Sequence, residues 1–125
     1  MNYISAMMST LRFGLLAAGT VFLTGMFHNH LVKSSPAADE RLAASPADIR
    51  LWFNERPEIP FTSVTILTAD STKIVTIKAV ATADTMAASA PLAAPLAPGS
   101  YMITWRTASR DGHAIRGTYR FSIAP

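Results

Sequence analysis

Chemistry in this chain can start from its three histidines. His28 and His30 stand two residues apart, just after a long stretch that holds a single charge, Arg12. His113 follows Asp111 at the same spacing, with Gly112 between them. In extended backbone, residues i and i+2 point to one side, so Asp111 and His113 can present a carboxylate oxygen and an imidazole nitrogen together. Gly112 permits a tight bend at that point. A histidine at a free N-terminus offers a chelate of α-amine and ring nitrogen. Joined to one carboxylate and one further imidazole, that chelate makes a set of three nitrogens and one oxygen. In a roughly square arrangement the set suits Cu(II) above other first-row divalent ions, with zinc second because it takes the same atoms in a tetrahedron.

Other chemistries are excluded by residue type. There is no cysteine, which removes disulfides, thiolate zinc sites, iron–sulfur clusters and thiol nucleophiles. Ser109, Asp111 and His113 cannot form a hydrolytic triad from one short segment, because the base must lie between nucleophile and carboxylate. Neither Gly-x-Ser-x-Gly nor a Gly-rich phosphate loop occurs. Met1, Met7, Met8 and Met26 fall near the N-terminus, and only Met86 and Met102 lie further on. Thioether capture of Cu(I) needs several methionines close together, so no Cu(I) site is expected. The pI is near 9.7, yet the eleven Lys and Arg are scattered with no run of three. No nucleic-acid partner is therefore expected.

The elements that must position these residues read as short strands. Ile49, Leu51 and Phe53 alternate with Arg50, Trp52 and Asn54. Similar alternation covers Val64–Leu67, Val75–Lys78, Tyr101–Arg106 and Tyr119–Ile123. Turn signals at Ser35-Pro36, Ser45-Pro46, Arg56-Pro57, Ala69-Asp70-Ser71, Pro98-Gly99 and Asp111-Gly112 separate them. Period-two strands with no helix-length amphipathic segment predict an all-β sandwich or barrel. Pro91, Pro95 and Pro98 rule out a long helix in the Ala-rich stretch 79–98, where one strand over Thr85–Ala90 is predicted. Trp52, Trp105, Tyr101 and Tyr119 read as packing residues. Arg106 and Arg110 are expected to contact carboxylates such as Glu55 or Asp111.

Residues 1–27 read as an address. Arg12 precedes an uncharged run from Phe13 to Thr24, the pattern of a secretory signal and short for a membrane span, which needs about 20 apolar residues. An uncleaved anchor is the alternative. Thr24-Gly25-Met26-Phe27 is a poor cleavage site before His28, and a cut after Gly25 is chemically more ordinary. Residues 28–125 are expected to form a single exported domain with no membrane contact once the signal is removed.

Four linked motifs resemble one family. His28-Asn29-His30-Leu31-Val32-Lys33-Ser34-Ser35-Pro36-Ala37 is similar to the mature start of CopC periplasmic copper-resistance proteins, which begins with His and soon reaches Ser-x-Pro-Ala. Ile49-Arg50-Leu51-Trp52-Phe53-Asn54-Glu55 resembles their Leu-x-Phe-Ser-Glu strand. Leu96–Arg106 resembles Leu-x-Pro-Gly-x-Tyr-x-Val-x-Trp-Arg, and Ser109–Gly117 resembles Ser-x-Asp-Gly-His-Pro-Val-x-Gly.

The resemblance implies a Greek-key, immunoglobulin-like β-sandwich of seven to nine strands with a cupredoxin-like layout. It implies a non-catalytic periplasmic carrier or buffer for one Cu(II), serving copper resistance, homeostasis or delivery to a CopD-type inner-membrane transporter. By position, His28 would supply amine and imidazole, Asp111 a carboxylate and His113 an imidazole. Glu55 would hydrogen-bond a ligand, and His30 ranks below these. Three departures stand out: Ala114 where the family usually has Pro, no methionine in the stretch 68–85, and the cleavage sequence before His28. Two readings compete with the carrier. One is a copper oxidase or monooxygenase built on an N-terminal histidine chelate; the other is a metal-free immunoglobulin-like binding module.

Overall fold

The computed structural model describes residues 29–125, so the expected signal segment 1–27 and His28 lie outside the described residues. Alternating side chains pair into nine strands: β1 (Leu31–Ser35), β2 (Arg41–Leu42), β3 (Asp48–Phe53), β4 (Ser63–Thr68), β5 (Lys73–Lys78), β6 (Val80–Ala81), β7 (Ala87–Pro91), β8 (Gly99–Ala108) and β9 (Ala114–Ile123). One sheet has the order β1-β3-β7-β6 and the other β2-β9-β8-β4-β5. The hairpins β4–β5, β6–β7 and β8–β9 stay within a sheet, and the remaining connections cross between sheets. That connectivity makes the all-β Greek-key sandwich expected from the sequence.

The core forms where the inward positions of both sheets meet. Ile49, Leu51 and Phe53 of β3 face Val64 and Ile66 of β4, Ile103 and Trp105 of β8, and Phe121 and Ile123 of β9. Ile49, Leu51, Ile66 and Ile103 are 0% exposed, and each such side chain stabilises the fold by about 1.5–3 kcal/mol. Trp105 meets Phe53 edge-on, with ring centroids 5.4 Å apart, and so joins the two layers. Tyr101, Trp105 and Tyr119 are buried as expected. Burial pushes the Tyr119 hydroxyl up to about 12. Trp52 differs: it is half-buried on the outer face of the four-stranded sheet, with the Lys33 ammonium 4.5 Å from its ring centroid.

One local expectation needs correction, and two strand segments lie outside the predicted ones. The strand predicted over Thr85–Ala90 begins at Ala87, because Asp84 caps a turn there, its carboxylate accepting from the Met86 N–H at 2.9 Å. β1 was not legible, since its burial lacks alternation and its pairing with β3 carries a bulge between Leu31 and Lys33. The strand predicted over Tyr119–Ile123 extends back to Ala114. Gly117 explains this, because its missing side chain leaves the place taken by the Trp105 indole.

The β8–β9 ladder is the element that carries the site. It runs in unbroken register from Gly99↔Ile123 to Ala108↔Ala114. A buried hydroxyl pair fixes its far end. The Thr62 hydroxyl donates to the Glu58 carbonyl at 2.7 Å, so the bond between Thr62 and Thr107 at 2.8 Å takes its proton from Thr107. The 3-10 turn Ile59–Phe61 is thereby tied to β8 beside the hairpin tip. A Cβ at position 117 would overlap the Trp105 ring. Gly117→Ala should therefore lower stability by about 1–3 kcal/mol, read as a fall in the midpoint of thermal or urea unfolding.

Candidate metal site at the tip of the long hairpin

Five residues, Ser109 to His113, close the β8–β9 hairpin. Asp111 and His113 do come together, though the cause is a turn and not extended backbone. Ser109 N–H donates to His113 O at 3.0 Å, and Gly112 N–H donates to Ser109 O at 2.9 Å. Gly112 sits at φ +89°, a conformation that disfavours residues with a Cβ. Asp111 organises the loop from within. Its Oδ1 accepts from the His113 N–H at 3.1 Å and from the Ser109 hydroxyl. Its Oδ2 meets His113 Nδ1 at 2.7 Å.

The electrostatics follow from those bonds. The Ser109 hydroxyl, then the His113 backbone N–H and ring, hold the Asp111 carboxyl well below the usual carboxylate range. Engagement of Nδ1 orients the imidazole and leaves Nε2 as the ring atom for an incoming partner. Both side chains are exposed, His113 at 82% and Asp111 at 63%. They stand on the wall of a pocket of about 530 Å³ lined also by Asn29, Glu55, Ser109 and Arg110.

The expected site residues are thus divided. Asp111, His113 and Glu55 share one pocket. His30 does not line it, and His28 lies outside the described residues. Among the described residues no group of three His, Asp or Glu is placed to hold an ion. The contacts expected of Arg106 and Arg110 are absent: the ion pairs among the described residues are Arg50–Asp48 and His113–Asp111. Arg106 is an exposed, outward position of β8.

Sequence reasoning missed two asparagines. Asn54, just past β3, donates its N–H to His30 O at 3.1 Å and accepts the His30 N–H on Oδ1 at 2.5 Å. Its side chain thereby extends the β1–β3 pairing one step beyond the ladder. Asn29 then enters the pocket wall, 3% exposed, with neither end of its amide hydrogen-bonded among the described residues. An asparagine closing a strand beside Glu was the available signal for Asn54. Nothing in the sequence marks Asn29 as buried.

A two-sheet Greek-key sandwich whose longest hairpin ends in an Asp-Gly-His turn beside the N-terminal strand defines a class of small β-domain. The model of the CopC domain matches residues 31–124. Protein YobA of Escherichia coli strain K12 is 34% identical over 117 residues, covering 91% of this chain and 94% of that one. Copper resistance protein C of Escherichia coli is 31% identical, covering 93% and 99%. The crystal structure of CopC from Methylosinus trichosporium OB3b superposes with a TM-score of 0.72 at 35% identity, covering 78% of this chain and 95% of that one. The chain belongs to the CopC family.

The depressed carboxyl gives a check on the loop. A group whose folded pKa is lowered adds stability above its unfolded value, about 3.9 for Asp, and loses it as pH falls through the folded value. The Asp111 carboxyl carbon should therefore titrate by NMR well below that value in the parent. Ser109→Ala should move its midpoint upward.

Proposed function

We propose that this chain is an exported copper-binding protein that holds one Cu(II) for resistance, homeostasis or hand-over, and that it is not an enzyme. In this reading the signal segment 1–27 is removed, residues 28–125 act as one periplasmic domain, and the cargo passes to a CopD-type inner-membrane transporter. The observation that carries it is the meeting of Asp111 and His113 in the pocket that Asn29 lines. Asn29 is the residue that follows the proposed ligand His28 in the sequence.

The donors suit the ion. The described residues supply one imidazole and one carboxylate, with Glu55 nearby. The absence of cysteine leaves nitrogen and oxygen as the donors, which favours Cu(II) over Cu(I). Position 28 completes three nitrogens and one oxygen. Asp111 keeps the loop closed and offers the ion a remaining lone pair, His113 offers its ring, and Glu55 orients whichever ligand it faces. The carrier reading is favoured over an oxidase by the names of several relatives, which are copper resistance or copper transport proteins.

Titration of Cu(II) into a chain beginning at His28 should show one tight equivalent with a tetragonal spectrum. His113→Ala should weaken it by about 100-fold or more, and Asn54→Ala, which frees the strand leading to the pocket, by about 10-fold. Parent-like copper affinity in His113→Ala would overturn the assignment.

A further inference from the structure

Cations scattered in the sequence are gathered in space. The five-stranded sheet carries Arg41 on β2, Lys73 and Lys78 on β5, Arg106 on β8, and Arg116 and Arg120 on β9, and its strands contain no Asp or Glu. All six of these residues are exposed. Register explains the gathering. The inward positions of β8 and β9 hold Tyr101, Ile103, Trp105, Tyr119, Phe121 and Ile123, so Arg106, Arg116 and Arg120 must face outward. Ser63 pairs with both Lys78 and Arg106, and Arg106 pairs with Arg116, which makes one row across four strands.

The next row inward along the strands is made of hydroxyls. Thr76 pairs with Thr65, Thr65 with Thr104, and Thr104 with Thr118. Thr65 and Thr76 join through their hydroxyls at 2.9 Å. Beyond them Leu67 pairs with Lys73 and Met102, and Met102 with Arg120. Carboxylates lie in the loops at the two ends: Asp39, Glu40 and Asp70 at one, Glu55, Glu58 and Asp111 at the other. Neither ion pair among the described residues uses a cation of this face.

We propose that the outer face of the five-stranded sheet docks on an anionic phospholipid surface. The complementary charge is phosphate, met by a cation row and by a band of hydroxyls able to donate to phosphate oxygens. A protein partner would need buried anchors at the centre of the contact. Here the centre is threonine, and the apolar side chains beside it, Leu67 and Met102, are already half-buried. A shallow, polar, cationic plane with no aromatic group fits a headgroup layer. The inference is independent of copper, and it departs from the expectation that the processed chain has no membrane contact.

The core cluster among the described residues draws only on positions from 31 onward, so a chain beginning at His28 retains it whole and is the form to test. Co-sedimentation with phosphatidylglycerol vesicles should exceed that with phosphatidylcholine vesicles by at least about tenfold and should fade as salt shortens the Debye length. The variant Lys78→Ser/Arg106→Ser/Arg116→Ser should weaken binding by roughly 100-fold. A charge-matched control, Lys33→Gln/Arg50→Gln/Arg56→Gln, should bind like the parent. If the triple variant does not fold, Thr104→Glu places a carboxylate in the middle of the face and should weaken binding by itself. Equal binding to the two kinds of vesicle would overturn the proposal, as would equal losses in variant and control. Competition by poly-glutamate as effective as that by free vesicles would overturn it in favour of an acidic protein segment.

Discussion

The Asp-Gly-His turn at the candidate site hangs from the ladder between β8 and β9. Its register runs without a break from Gly99↔Ile123 to Ala108↔Ala114. A one-residue slip would turn every side chain of one strand to the other face. It would push Tyr119, Phe121 and Ile123 into water and Arg116 and Arg120 into the core. The register is therefore held by the burial it produces, and it delivers the five-residue tip to one fixed place. Trp105 and Gly117 secure it midway, where an indole fills the room that a glycine leaves. The same indole touches Phe53, so the β8–β9 hairpin and the strand that leads to Asn54 and Glu55 are fixed by one contact.

The strands with inward alternation were legible in sequence for a simple reason. β3, β4, β8 and β9 face the core with every second residue, and burial imposes the period. β1, β2 and β6 were not legible. They are short or at sheet edges, and few of their side chains are buried. At the site, Asp111 and His113 could be paired from their spacing, because a two-residue separation limits how far apart they can be. Their actual contact depends on the Ser109 hydroxyl and the backbone bonds of the turn. Glu55 could be placed near them only through resemblance, since it lies far off in sequence. The role of Asn54 was hidden because a side-chain oxygen there replaces a backbone carbonyl, which no periodicity records.

Charge gives the opposite lesson. Eleven Lys and Arg with no run of three look dispersed when read along the chain. On strands, however, residues two apart share a face, and neighbouring strands set such residues side by side. Arg106 and Arg116 are ten positions apart by number yet directly paired. Patch formation in a β-protein depends on register, and a search for consecutive charges is suited to helices and tails. The absence of Asp and Glu from the strands of the five-stranded sheet leaves that face with one sign of charge.

The hairpin tip is stitched to itself. Ser109, Asp111, Gly112 and His113 bond to one another, while the buried hydroxyl of Thr107 belongs to the strand below. Folding of the sandwich and chemistry of the tip are thus separable properties. Substitutions of exposed side chains there that leave Gly112 and the Asp111 bonds in place can retune ligand preference while the core stays as it is. A lineage could vary those side chains at little cost to the sandwich, and a screen for unfolding would miss the change.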